Sequence, residues 1–259
     1  MMEQIVGYVV ENGVATITFN RPQKMNALSA ELVSGFQSAL EQAAADPHVR
    51  SVILTGSGKA FSAGGDLASF SELDALKGKR YLQQAYRLLL TLHGLEKPVV
   101  AAVNGFATGA GFNIALACDL VIAGEEAKFG QVFSKVGLIP DFGGMYFLPR
   151  VVGLARAKEL MYSGRIITAK EAHAYGIVLE VTAQDELMER ARVIAESLAA
   201  GPTAALGMTK AILNRSHELS LEQLLHEEAM AQGIAFSTKD HQEGVRAFFE
   251  KRAPEFTGE

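Results

Sequence analysis

The chain has no tryptophan and a single cysteine, Cys118, among 259 residues. One thiol cannot close an intrachain disulfide, so no covalent staple is available to the fold, and this usage suits a reducing compartment. Cys118 sits inside an apolar run, where a small buried hydrophobe is the plain reading and a nucleophile the sharper one. An excess of basic residues is also missing. Lys and Arg number 24 against 29 Asp and Glu, a net charge of −5, which gives no electrostatic footprint for nucleic acid or an anionic membrane as partner. The six histidines (His48, His93, His173, His217, His226, His241) are scattered, with no H-E-x-x-H pair. There is no G-x-S-x-G elbow either, so zinc and serine-triad chemistry have little support and no metal site is expected. The N-terminus, MMEQIVGYVVENG, carries the acidic Glu3 and only a short apolar patch, unlike a signal peptide. A cytoplasmic location is the expectation.

One long uncharged run is present, between Lys97 and Asp119. An apolar stretch of about 20 residues could span a bilayer. Gly105, Gly109, Gly111, Asn104, Thr108 and Asn113 interrupt it, which favours a buried element of a globular protein. Val99 to Val103 reads as a strand, the small residues after Asn104-Gly105 as a turn, and the run from Phe112 as a helix. Asp119 to Ala123 reads as the next strand.

Elsewhere the punctuation is local and clear. Val6 to Val10 and Val14 to Phe19 flank Glu11-Asn12-Gly13, the pattern of a hairpin. Ser29 is placed to cap a helix with Leu32, Phe36, Leu40 and Ala43 on one face, closed by Pro47. Val49 to Thr55 is a compact strand. Glu72 to Arg80 reads as a charged, mobile segment before a helix over Tyr81 to Leu95, and Gly130 to Gly144 as a loop. Thr168 with Glu171 and Ser220 with Gln223 form capping-box patterns, and Leu187, Ala191, Ile194 and Leu198 keep helical spacing. Alternating strands and helices predict an α/β fold with a largely parallel sheet. No linker divides the chain, so we expect a core over residues 1–198 and a helical C-terminal region over 199–259.

Two strand-to-helix loops, residues 61–66 and 105–111, are built from Gly and Ala. Small side chains let backbone N–H groups approach a ligand, and helix N-termini favour developing negative charge. Two such loops side by side could form an oxyanion hole, and tight strand-helix packing explains the composition equally well. A phosphate-binding P-loop is excluded at Gly58-Lys59, because Ile53 and Ala60 occupy the places that need glycine and a hydroxyl residue.

Asn20-Arg21-Pro22, Asn26-Ala27-Leu28-Ser29, Ala60 to Leu67, Lys97 to Gly105, Phe129-Gly130-Gln131, Thr168 to Gly176 and Glu243 to Arg252 together resemble the crotonase superfamily of enoyl-CoA hydratases and isomerases. The resemblance implies a ClpP-like ββα-superhelix with a helical C-terminal trimerisation region, assembled as a homotrimer or a dimer of trimers. It implies an acyl-CoA thioester substrate and no separate cofactor. Oxyanion donors are implied at the N–H groups of Gly65 and Ala110. The CoA-binding positions it implies are Lys24, Ala27, Leu28, Ala63, Asp66 and Leu67, with Phe248 and Lys251 near the nucleotide end. For Asp66 an ordinary loop or capping carboxylate remains equally open.

Hydratases of this superfamily place two glutamates to handle water, and the matching positions here are Asn113 and Phe133. Neither side chain exchanges a proton near neutral pH. The remaining acid is Asp141, in Gly137-Leu138-Ile139-Pro140-Asp141-Phe142-Gly143-Gly144. Phe133, Leu138, Ile139 and Phe142 are expected to surround it and raise its pKa, while a helix starting after Gly144 would act in the opposite direction. A plain helix N-cap is the alternative use of this residue. The segment from Phe133 to Gly144 is similar to the subgroup containing the phenylacetate-pathway isomerase of ring-epoxidised phenylacetyl-CoA, which also moves Δ3 double bonds to Δ2. There the aspartate is the acid/base. Three other activities stay open: hydration through Asp141 alone, aryl-CoA dehalogenation, and non-catalytic acyl-CoA binding.

Overall fold

Strands that are apolar at every position need cover on both faces. In a computed structural model, which describes residues 4–70 and 73–259, that cover comes from two sheets and a set of helices. The larger sheet is formed by β1 (Val6–Glu11), β2 (Val14–Phe19), β3 (Ser51–Gly56), β5 (Val99–Val103), β7 (Leu120–Gly124) and β10 (Glu180–Thr182), adjacent in that order. The smaller one holds β4 (Ala60–Ser62), β6 (Phe106–Thr108), β8 (Lys128–Gly130) and β9 (Ile166–Thr168). The β1–β2 hairpin and the β8–β9 pair are antiparallel, and every other pairing is parallel.

Chain order explains the two layers. Each turn of the chain places one strand in the large sheet and a short strand in the small one, then returns through a helix: β3-β4 with α2 (Ala75–His93), β5-β6 with α3 (Ala110–Ala117), and β7-β8 with α4 (Gly144–Ser163). α1 (Ala30–Ala45) follows the hairpin, and α5 (Ala169–Ala174) lies between β9 and β10. This is the ββα repeat that the family resemblance implied.

Alternation along the strands sorts their side chains into two cores. Val99, Ala101 and Val103 face the main core, with Leu32, Phe36 and Leu40 of α1 and Leu88 and Leu92 of α2. Val100 and Ala102 face the other side, where Ile53 and Ile122 meet Leu187, Ala191, Ala195 and Ala199 of α6 (Leu187–Ala199). After α6 come only helices: α7 (Thr203–Leu213), α8 (Leu221–Ala235) and α9 (Lys239–Glu250).

The caps fall where local chemistry placed them. Ser29 accepts from the Leu32 N–H, and both capping boxes form, at Thr168/Glu171 and Ser220/Gln223. Three expectations need correcting. The helix expected to start at Tyr81 begins at Ala75, because the Asp74 carboxylate accepts from the N–H groups of Leu76 and Lys77. Most of the stretch read as mobile is therefore helical from Ala75 on, and Glu72 lies outside the described residues, as do residues 1–3. The helix expected from Phe112 starts at Ala110. Finally, the loops at 61–66, 105–111 and 130–144 conceal β4, β6, the last residue of β8 and a 3-10 turn over Val132–Val136. The uncharged run from Lys97 becomes β5, β6 and α3, and no helix among the described residues is long and apolar enough to cross a membrane.

Candidate active site

The two glycine-rich loops lie against each other. Thr108 Oγ1 donates to the Ala63 carbonyl at 3.0 Å, and a Cβ on Gly64 would stand 2.6 Å from the Thr108 carbonyl oxygen and 3.1 Å from the Ala110 nitrogen. Gly109, at φ +54° and ψ −127°, turns the chain from β6 into α3 and leaves Ala110 as the first helical residue. Gly111 passes the β4 backbone so closely that a Cβ would meet the Ser62 carbonyl oxygen at 2.3 Å. Among the described residues, neither the Gly65 nor the Ala110 N–H has a protein acceptor. Both residues line a cavity of about 240 Å³.

Asp141 lines the same cavity, with Leu67, Phe70, Val132, Phe133 and Leu138. Burial among these groups raises its carboxyl pKa to about 6, against the opposing hydrogen bond from its own backbone N–H. Its Oδ1 atom is buried without a hydrogen-bond partner among the described residues. Capping is not its task. The N-cap of α4 is Gly143, with φ +71°, and it is the Asp141 carbonyl that accepts the Gly144 N–H at 3.0 Å. Two neighbours differ from expectation: Ile139 is 74% exposed, and Phe142 turns away to pack edge-on against Tyr86 at 5.9 Å between ring centres. Tyr81 and Tyr86 of α2 have raised pKa values, from burial and then from the Asp141 charge, so both hydroxyls lie within its field.

Asp66 has the opposite surroundings. Arg21 Nη1 donates to its Oδ2 at 2.8 Å, and that bond holds the carboxyl below the usual range. Oδ1 accepts from the Ala68 N–H at 3.3 Å, so the carboxylate also serves as a local cap. Arg21 is itself fixed by Asn26, whose Oδ1 accepts the Arg21 N–H while its Nδ2 donates to the carbonyls of Ser57 and Ala60. This knot ties residues 21–28 beside the first glycine loop, where Leu28 bridges Gly65.

Of the residues singled out in the sequence, Gly65, Ala110, Asp141, Ala63 and Leu67 line one cavity together. Lys24, Ala27, Leu28 and Asp66 belong to the adjoining knot and do not line it. Phe248 and Lys251 lie at the far end of α9, where Phe248 is exposed and Lys251 ends the helix in a left-handed conformation. Cys118 is buried, its Sγ donating to the Ile114 carbonyl, and burial raises its thiol pKa, so it behaves as a small core residue.

Sequence reasoning gave Asn113 the role of a missing acid and gave Gln131 none. Both are fully buried, and they connect to Asp141: Asn113 Nδ2 donates to the Asp141 carbonyl at 2.7 Å, and Gln131 Nε2 donates to Asn113 Oδ1 at 2.6 Å. The only signal in the sequence was a pair of amides inside otherwise apolar surroundings.

The enoyl-CoA hydratase/isomerase family profile matches residues 9–259. A 1,2-epoxyphenylacetyl-CoA isomerase from Escherichia coli (strain K12) is 40% identical over 266 residues, covering 100% of both chains. A crotonyl-CoA hydratase from Syntrophomonas wolfei is 38% identical, covering 95% of each. Among solved structures, an enoyl-CoA hydratase from Bacillus anthracis superposes with a TM-score of 0.94 at 37% identity, covering 99% of this chain and 100% of that one. With a profile match across nearly its whole length and relatives this similar over their full extent, the chain belongs to the enoyl-CoA hydratase/isomerase family and has the crotonase fold.

Proposed function

We propose that this protein is an acyl-CoA isomerase that moves a double bond from Δ3 to Δ2 or rearranges a ring-modified phenylacetyl-CoA. The observation that carries the reading is a carboxyl group, Asp141, the one acid among the described residues lining its cavity, held near pKa 6 where Gly65 and Ala110 also line the wall. In this reading the thioester oxygen accepts both N–H bonds. Asp141 takes a proton from the α-carbon, the electron pair delocalises into an enolate, and the same proton returns at the γ-carbon. The proton is carried over and not consumed, so one carboxylate suffices. Each oxyanion donor is worth about 2.7–4 kcal/mol in a transition state of this kind. The CoA portion would run past Ala63 and Leu67 toward Lys24, Ala27, Leu28 and Asp66. Phe248 and Lys251 would act at its nucleotide end.

Residues 199–259 we read as the oligomerisation region of a homotrimer or dimer of trimers. The exposed Leu221, Leu225, Met230 and Ile234 support this, since large apolar side chains left open on two sides of α8 call for cover. Hydration is the second reading, and the 38% identity to a crotonyl-CoA hydratase favours it. Against it stand Asn113 and Phe133, which supply no second acid. Dehalogenation has no tryptophan to draw on.

The test is spectroscopic. The protein is incubated with 3-hexenoyl-CoA and, separately, with 2-hexenoyl-CoA, and conjugated-thioester absorbance is followed. Growth with the first and no loss with the second is expected. Loss with the second would make the protein a hydratase. Silence in both, with the CoA ester bound, would leave a ring-modified substrate or a binding role.

A further inference from the structure

The Asp141 carboxylate is carried by a loop that is held through the Asp141 carbonyl. That carbonyl is bonded completely: it accepts from Asn113 Nδ2 and from the Gly144 N–H, which satisfies both lone pairs, while among the described residues the carboxylate Oδ1 is left without a partner. The loop around it is not one the chain adopts freely. Phe142 stands at φ +45° and Gly143 at φ +71°, and a left-handed phenylalanine persists only where its neighbours over-determine it. Gly144 contributes by what it lacks, because a Cβ there would lie 2.4 Å from Asn113 Nδ2.

We propose that Asn113 and Gln131 form a two-amide clamp that positions the Asp141 loop so that its carboxylate stays inside the apolar cavity. This rests on the reading of Asp141 as the acid/base. The orientation of both amides follows from a single acceptor. The Asp141 carbonyl cannot donate, so the Asn113 NH₂ must face it, which leaves Asn113 Oδ1 toward Gln131 and requires the Gln131 NH₂ to face that oxygen. Reversing either amide puts like against like. Gln131 has no competing duty on its side chain, since its Oε1 has no partner among the described residues. Asn113 and Gln131 come from different layers: Asn113 from α3, the same helix that presents Ala110, and Gln131 from the residue after β8. The clamp therefore fixes the carboxylate relative to the Ala110 N–H. An ionisable group at residue 113 would place a second charge beside the carboxylate, whereas the amide holds the loop and stays neutral.

Among the described residues, the titratable groups that face Asp141 are Tyr81 and Tyr86 from α2 and Lys135 from the 3-10 turn; α3 carries none, and Tyr146 in the first turn of α4 packs instead against His93 and Phe147. A variant that leaves all of these in place isolates the clamp. Gln131→Met removes the donor to Asn113 at nearly constant volume and charge. The readouts are kcat and KM for 3-hexenoyl-CoA, the thermal midpoint, and the Asp141 carboxyl titration followed by ¹³C NMR in the unliganded protein. The expected result is a fall in kcat of about tenfold or more with KM within twofold. The titration midpoint should move down from about 6 toward the ordinary carboxyl range as the loop opens to water. Asn113→Ala, which removes the direct bond, should lower both further. A folded Gln131→Met protein with unchanged kcat and unchanged Asp141 midpoint would overturn the proposal. If either variant does not fold, the unmodified protein decides: the Asn113 side-chain amide protons must resist hydrogen exchange and their ¹⁵N shift must follow the Asp141 titration, and rapid exchange refutes the clamp. If the unmodified protein turns over no enoyl-CoA, the catalytic reading fails, while the NMR midpoint still decides the clamp.

Discussion

Asp66 and Asp141 are two aspartates whose charges are both felt by Tyr81, yet their surroundings act on them in opposite directions. Asp66 has an arginine at 2.8 Å and a backbone donor, and its carboxyl stays below the usual range. Asp141 has largely apolar walls with Lys135 among them and no partner on Oδ1 among the described residues, and its carboxyl rises to about 6. The same side chain becomes a fixed anion in one place and a group able to take and return a proton near neutrality in the other. Neither the residue type nor its spacing decides this. Partners and water do.

The comparison can be broken most severely at Asp141 itself. Asp141→Asn keeps the shape and removes the proton acceptor, and isomerisation should fall by roughly 10²–10⁴-fold in a steady-state assay, the usual share of a general acid/base. The same variant should gain stability. A carboxyl raised from 3.8 to about 6 contributes stability that is fully present below 3.8 and is lost as pH rises through about 6. At pH 7 the buried charge costs about 3 kcal/mol, on the order of two pKa units, and Asn does not carry it. Urea denaturation should therefore show Asp141→Asn more stable than the parent at pH 7 and little different at pH 4. A variant that is less stable at pH 7 would contradict the unpaired, buried charge.

A gentler change would make Asp141 resemble Asp66. Leu138→Lys places a second cation, after Lys135, on the rim of the cavity and should shift the rising limb of the kcat/KM–pH profile down by about one pH unit. In the parent, that limb should centre near 6, because the base must be deprotonated to act. The smallest effect is expected at the other aspartate. Asp66→Asn loses a partly exposed ion pair with Arg21, whose side chains are 19% and 20% exposed, so stability should fall by no more than about 1 kcal/mol. The chemical step should stay within twofold, with any larger change confined to KM for the CoA ester.

Much of the fold was legible because its signals are local. The Asn12-Gly13 hairpin, the Ser29 cap and the capping boxes at Thr168 and Ser220 each depend on residues within a few positions of one another. The short strands β4, β6 and β8 were not legible, because three residues of glycine- and alanine-rich chain show no period and owe their pairing to strands far away in sequence. Asp74 as a helix cap was missed for a different reason: the charges after it suggested solvation, and solvated residues form helix as readily as loop once the first turn is capped.

The site divides along the same line. The sequence by itself determined which groups exist: two small-residue loops with backbone to offer, one acid at Asp141, amide and phenyl side chains at Asn113 and Phe133, and no tryptophan. It also determined the longer runs beside them, such as the strand at Val99–Val103. Tertiary structure alone decided that Gly65, Ala110 and Asp141 share one cavity, that Phe142 leaves it and Phe70 enters, and that the Asn113 amide reaches the Asp141 carbonyl. The physical reason is that burial and hydrogen-bond pairing are properties of groups brought together from distant parts of the chain, so a carboxyl acquires its pKa only once the fold has chosen its neighbours.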